Sequence, residues 1–395
     1  VNLLDDAHSL SDDLIRLRRD LHAVPEVGLD LPRTQETVLA ALDGLPLDIS
    51  TGRSLSSVTG VLRGARPGPT VLLRGDMDAL PVAERTGLPF AAAADRMHAC
   101  GHDLHTTMLA GAARLLSAHR DRLAGNVVFM FQPGEEGYDG AAHMLQEGVL
   151  DAAGERPVAA YALHVLSNTH GRGQFVARGG PTMASSNVLD VTVRGAGGHG
   201  SAPHRAKDPI PAACEMVTAL QTFVTRSFDA FEPVVLTVGR FQAGTATNII
   251  PDTASFSATI RCFSADVRDT LREGTLAVCR GIAAAHGLDV DAEFSEQYPV
   301  TVNDAAETAF AADTVREVHG DERFEPMENP QLGAEDFSRV IDAVPGAMVF
   351  LGAALEGRDP DSAPGNHSPL AAFDESVLPD GAALYAELAV RRLAA

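Results

Sequence analysis

No run of basic residues occurs anywhere in the chain, and acidic side chains outnumber basic ones, 53 Asp plus Glu against 31 Lys plus Arg. A surface of that sign repels phosphate backbones and anionic headgroups, so neither nucleic acid nor a membrane is expected as a partner. No apolar stretch approaches the roughly 18 residues that a membrane span requires. The opening VNLLDDAHSLSDD lacks a basic segment followed by an apolar one, and a cytoplasmic location is expected. Cysteine is scarce too. Cys100, Cys214, Cys262 and Cys279 contain no CxxC pair, the habit of a reduced protein rather than a disulfide framework. Neither an internal repeat nor a low-complexity segment is present. The 395 residues exceed the about 250 to 300 at which a single core stops growing, which predicts two domains.

Periodicity predicts the layout. Leu10, Leu14, Leu17 and Leu21 recur at helical spacing, and further helices are expected over 33–42 and 102–118. VTGVL (58–62), TVLLR (70–74), NVVFMF (126–131) and VAAYALHV (158–165) are short continuous apolar runs, as expected of strands buried on both faces. Their alternation with helices predicts an α/β sheet. From about residue 180 the texture changes to strands of alternating character around helices at 208–227 and 266–286, a two-helix, four-strand α+β insertion over 181–297. After about residue 300 a helix (305–318), a strand (347–352) and a final helix (374–394) follow. The first domain is therefore expected to be discontinuous, 1–180 with 298–395.

The chemistry-bearing residues cluster in MHACGHDLHTTM (97–108), FQPGEEG (131–137), ALHV (162–165) and GNHSP (365–369). They supply Cys100, His102, Glu136, His164 and His367 as candidate metal ligands, with Asp76 or Asp78 in reserve. That set is too large for one catalytic zinc with three protein ligands and an open position, and suits a pair of divalent ions. The motifs follow the carboxyl ends of the predicted strands, where open α/β sheets bind their ligands. Glu135 is the carboxylate left over, placed to accept a proton from water. Asp76 and Asp78, on alternate residues, face one side of an extended segment. One is expected to orient a histidine and the other to support the turn or touch metal; His98 and His105 are expected to be structural or to support ligands. In the insertion, His199 and His204 lie on a Gly-rich loop, Asn248 precedes a Pro turn, and Arg261 sits mid-strand. There a charge needs either a salt bridge or a substrate carboxylate.

RRDLHAVPEVG (18–28), RGDMDALP (74–81), MHACGHDLHTTMLAGAA (97–113), FQPGEEG, YALHV, GGHGSAPH, TATNIIPD, GAEDFS and NHSPLAAFDESVL (366–378) follow one another in an order that spans nearly the whole chain. On these motifs the chain resembles the metal-dependent amidohydrolases that include hippurate hydrolases, bacterial aminoacylases and plant indole-acetyl-amino-acid hydrolases. These are relatives of the dimetal carboxypeptidases and dipeptidases. The resemblance implies an exopeptidase-like catalytic domain binding one or two divalent ions (zinc, manganese, cobalt or nickel) through Cys100, His102, Glu136, His164 and His367. It implies Glu135 as the general base and an inserted lid and dimerisation domain, hence a homodimer or higher oligomer. It further implies His199 as a stabiliser of the oxyanion, with Asn248 and Arg261 on the substrate carboxylate. Two departures stand out: Asn187, where the family pattern leads one to expect Asp, and SNTHGRG (167–173) after the His164 strand.

The expected reaction is metal-dependent hydrolysis of the amide of an N-acyl amino acid, with a carboxypeptidase or dipeptidase on short peptides as the alternative. A metal-free cysteine amidase using Cys100 with His102 or His105 would leave Glu135, Glu136, His164 and His367 without a purpose. A non-catalytic binding protein would have no need of Glu135.

Overall fold

The computed structural model describes residues 2–93 and 95–395. Val1, the first residue of the segment read for a leader, and Ala94 lie outside the described residues. The chain divides into two compact units, one of residues 1–182, 302–329 and 336–395, the other of 183–301 and 330–335.

An eight-stranded mixed sheet forms the first unit, in the order Leu47–Thr51, Val58–Arg63, Ala124–Gln132, Arg66–Asp76, Ala159–Leu166, Gly346–Gly352, Phe175–Ala177 and Phe324–Pro326. Its centre is parallel. Arg66–Asp76 runs parallel to Ala124–Gln132 on one side and to Ala159–Leu166 on the other, and Gly346–Gly352 continues parallel beyond that. The continuous apolar runs are buried on both faces: Val71, Leu72 and Leu73, like Val127 to Phe131, have no exposed surface. Helices Ser11–His22, His102–Ala118 and Leu378–Ala394 lie against one another, the last two also against Arg66–Asp76. Among the described residues no helix is long and apolar enough to cross a membrane.

Because the three central strands are parallel neighbours, their carboxyl ends share one edge, and Asp76, Gln132 and His164 arrive there together. Tyr385 of the C-terminal helix stitches two of these strands where their pairing stops. Its hydroxyl donates to Arg74 O at 2.5 Å and accepts from Leu163 N at 2.7 Å. Helix His102–Ala118 starts at the same edge, and Gly101 before it has φ +86°, a left-handed conformation that costs a side chain dearly.

The second unit is a four-stranded antiparallel sheet, Val235–Ala243, Thr253–Arg261, Ser186–Arg194 and Asp289–Tyr298 in spatial order. Helices Pro209–Ser227 and Ala265–Ala285 pack on it, and Leu189, Val191, Val193, Met216, Phe256 and Leu271 form its core. Residues 330–335 join this unit, because Ala184 N donates to Gln331 O and Gly333 O at 3.1 and 2.9 Å. That stretch lies outside the 181–297 expected for the insertion. A two-stranded ribbon, Gly198–His199 with Ile249–Ile250, pairs His199 with Ile249.

Gly101 tests the edge directly. A Cβ built there would lie 2.4 Å from Val165 Cγ2, on top of the unfavourable φ. Gly101→Ala is therefore expected to lower unfolding free energy by about 1–3 kcal/mol. Denaturant unfolding measures it, and wild-type stability would show that Val165 yields without cost.

Candidate metal centre

At the shared edge Cys100, His102, Glu135, Glu136, His164 and His367 converge. Their donor atoms form overlapping groups able to hold a metal ion, Cys100/His102/His164, Cys100/Glu136/His367 and His102/Glu135/Glu136, each within 4.8 Å. Asp76, His102 and His105 form another. Cys100 Sγ lies 3.4 Å from His164 Nε2, and His367 Nε2 lies 3.1 Å from Glu136 Oε1.

Hydrogen bonds settle which histidines have a lone pair to offer. His164 Nδ1 faces Val165 O at 2.8 Å and must carry the proton, which leaves Nε2 as an acceptor aimed at Cys100. Burial holds its pKa well below the usual histidine range, so the ring is neutral. His105 is different. Its Nδ1–H donates to Asp76 Oδ1 at 2.6 Å and its Nε2 accepts from Val165 N at 2.8 Å, so both ring nitrogens are engaged. His102 is buried with no hydrogen bond on either nitrogen. Its Nδ1 is 3.5 Å from Asp78 Oδ1, and its Nε2 is 3.7 Å from Asp76 Oδ2 and 3.9 Å from both Glu135 Oε2 and Glu136 Oε1.

These observations are the test of fit for a metal. Two ligands each about 2.1 Å from a tetrahedral ion stand roughly 3.4 Å apart, longer than a hydrogen bond and close to the spacing around His102 and Cys100. A fully buried imidazole with no hydrogen bond on either nitrogen is costly unless a cation joins the carboxylates around it. Without one, burial opposes the charge of His102, but Asp76 and Asp78 raise its pKa well above the usual range. His367 shows the complement. Hydrogen bonds to Cys100 and Glu136 raise its pKa to about 10, so a proton occupies the place a divalent ion would take. Thiolate, imidazole and carboxylate together suit zinc, manganese, cobalt or nickel.

The two aspartates divide their labour. Asp78 accepts from Glu135 N at 2.9 Å and Glu136 N at 3.0 Å, so it holds the turn carrying both glutamates. Asp76 orients His105 and pairs with Arg74, whose Nη1 donates to its Oδ2 at 2.6 Å. Arg74 also reaches Gln132 Oε1 and Asp336 Oδ1, both at 2.9 Å, and Asp336 accepts from Ala141 N just beyond the glutamate turn. His98 is buried with neither ring nitrogen hydrogen-bonded, and burial depresses its pKa to about 3.

A second network, unforeseen from the sequence, backs the first. His22 presents Nδ1 to Asp103 at 2.8 Å and Nε2 to Glu84 at 3.1 Å, while Arg18 Nε lies 2.8 Å from Asp103. The signals were the RRDLH motif, which holds Arg18 and His22, and MHACGHDLHTTM, which holds Asp103, with nothing in either to show that they meet.

His199, Asn248 and Arg261 belong to the second unit. The ribbon places His199 beside the Asn248 segment, and Gly200 N donates to Asn248 O at 2.8 Å. His199 Nδ1 accepts from Ser201 N at 3.1 Å, so the neutral ring carries its proton on Nε2. Arg261 is half-buried and donates to Ser186 Oγ. Among the described residues it has no carboxylate partner, and burial lowers its pKa. Asn187 is buried and donates to Ser185 Oγ at 2.9 Å.

Comparison with known proteins gives consistent results. The family model of peptidase family M20/M25/M40 matches residues 72–391. Thermostable carboxypeptidase 1 of Saccharolobus solfataricus is 36% identical over 394 residues, covering 98% of each chain. Hippurate hydrolase of Campylobacter jejuni is 33% identical over 394 residues, covering 100% of each. Among solved structures, a dinuclear metal binding peptidase of the M20 family from Bacillus subtilis superposes with a TM-score of 0.83 at 31% identity, covering 98% of this chain and 99% of that one.

Cys100 tests the cluster. Cys100→Ser is expected to weaken binding of zinc or manganese, and bound metal is expected to slow alkylation of the wild-type thiol. Calorimetry and timed iodoacetamide labelling read both; unchanged affinity and no protection would make Cys100 a packing residue.

Proposed function

The chain belongs to peptidase family M20/M25/M40, and from that membership we propose that it hydrolyses the amide bond of N-acyl amino acids, releasing a carboxylic acid and a free amino acid. The observation that carries this reading is the convergent set of thiol, imidazole and carboxylate donors, buried at Cys100, His102 and His164 and opening to solvent at His367, with Glu135 beside it. Cys100, His102, Glu136, His164 and His367 would hold the ions. When bound, divalent cations lower the pKa of water and polarise an amide carbonyl. Glu135, held by the Asp78 clamp on its backbone, takes the proton from the attacking water and returns it to the departing amine. His199, with Nε2–H free to donate, is the candidate partner for the oxyanion. Arg261, a half-buried guanidinium without a carboxylate, is the candidate grip on the substrate's own, with Asn248 beside that role.

The proposal extends to a homodimer or higher oligomer built through the second unit, acting there as a lid, and to a cytoplasmic setting, which four unpaired cysteines suit. The identity to a relative named as a carboxypeptidase favours short peptides as the second reading. A screen of N-acetyl, N-benzoyl and indole-acetyl amino acids against dipeptides, with added metals, separates the two. A cysteine amidase would survive chelation, and His105 cannot serve as its base with both nitrogens occupied.

Glu135→Gln is expected to keep fold and metal content while losing at least about 100-fold in activity, the scale of a general base. Full turnover at full occupancy would remove Glu135 from that role. Arg261→Ala is expected to lower kcat/KM for N-acyl amino acids far more than for their carboxamide analogues. A parallel fall on both substrates with a lower Tm would mark Arg261 as structural.

A further inference from the structure

Asn366 precedes His367, and its side-chain amide is shared among three separate segments of the metal centre. Its Oδ1 accepts from Ser167 N and Ser167 Oγ, each at 3.0 Å. Its Nδ2 donates to Cys100 O at 3.1 Å and to Val165 O at 3.0 Å. The orientation is unambiguous, since a backbone N–H must donate and backbone carbonyls must accept. One amide thus joins the Cys100 turn, the end of the His164 strand and the His367 turn.

His367 needs such support. It has φ +70°, a left-handed conformation that a non-glycine residue holds only where its surroundings over-determine it. Its side chain is 55% exposed, so little packing fixes it. Ser167, which is buried, adds a third tie by donating to Pro364 O at 2.8 Å, and His367 N donates to Ala99 O at 2.9 Å. The turn is held at both ends, and the Asn366 amide bonds to the backbone of both other segments. Ser167 opens the SNTHGRG stretch that departs from the expected pattern.

We infer that Asn366 is a positioning residue that sets Cys100, His164 and His367 at metal-binding separation before the ion arrives. The inference rests on reading those three residues as ligands. No aliphatic or acidic side chain can replace it: Leu makes none of these bonds, nor the longer one from Nδ2 to Cys100 Sγ at 3.7 Å, and Asp turns the donor toward two carbonyl oxygens into an acceptor.

The experiment measures the affinity of zinc and of manganese, each alone, by competition with a chromophoric chelator, together with the Tm of the metal-free protein. Asn366→Leu and the isosteric Asn366→Asp, the latter at pH 8, are expected to weaken metal binding by about 10–100-fold, the effect of losing groups that orient ligands. Their metal-free Tm is expected to change little. His164→Ala serves as the ligand control. If His164→Ala binds metal like wild type, the ligand assignment fails whatever Asn366 does. If His164→Ala loses affinity while either Asn366 variant keeps it, the positioning role is overturned, even where Tm falls. Should Asn366→Leu not fold, Asn366→Asp, with the same volume, decides alone.

Discussion

Everything at the strand edge hangs from the Asp76 carboxylate. It is fully buried, where an ionised group is tolerated only with partners, and it has two. Burial opposes its charge, but Arg74 together with the nearby His102 and His105 holds its pKa well below the ordinary range. Each partner transmits the constraint. His105, with its tautomer fixed by Asp76, receives Val165 N–H and so pins the backbone next to His164. Arg74 extends through Gln132 and Asp336 to the helix that follows the glutamate turn. Removing one member of such a set strands the remaining charges, typically at a cost of about 3–5 kcal/mol, so the network is specified as a unit.

The second buried network does the same for the helix that carries His102. A histidine whose two nitrogens both face carboxylates cannot be neutral without placing a lone pair against an anion. His22 is therefore an imidazolium: burial opposes its charge, but Asp103 and Glu84 raise its pKa. Burial would raise the Asp103 pKa, yet Arg18 and His22 keep it far below the usual carboxylate range. Glu84, depressed to about 2, also accepts from Ala92 N at 2.7 Å and ties that residue to the network. Asp103 is thus anchored from outside the helix whose first residue is His102.

Much of this was legible in the sequence because strands buried on both faces advertise themselves as continuous apolar runs. The helix expected over 102–118 spans His102–Ala118, and the runs at 70–74 and 126–131 lie inside adjacent parallel strands. Leu47–Thr51 escaped notice because it is an edge strand, mostly exposed, whose LDIST has no apolar run. Helix Gly140–Gln146 is too short for periodicity to register. The candidate ligands could be named from motif chemistry alone, but the division between Asp76 and Asp78 could not. It depends on which carboxylate meets the Glu135 and Glu136 amides, contacts between residues more than 50 positions apart, and which is left to Arg74 and His105. Asn366 was hidden for the same reason, an ordinary turn residue until its three partners are in place.

The distribution of charge explains why so costly an arrangement persists. Asp76 and Asp103, deep in the fold, are matched by Arg74, Arg18 and His22, so their charges are balanced without any ion. The outer shell is not balanced in that way. Cys100, Glu135 and Glu136 stand around His102; burial opposes its charge, but Asp76 and Asp78 raise its pKa well above the usual histidine range, and His102 and His367 both take protons to offset the site. A fold that pairs its deepest carboxylates with arginine and leaves its reactive edge to be offset by protons on histidine gives a divalent cation one place to displace them. The same internal balance keeps the ligands in position when that cation is absent, so binding need not pay for reorganising the protein.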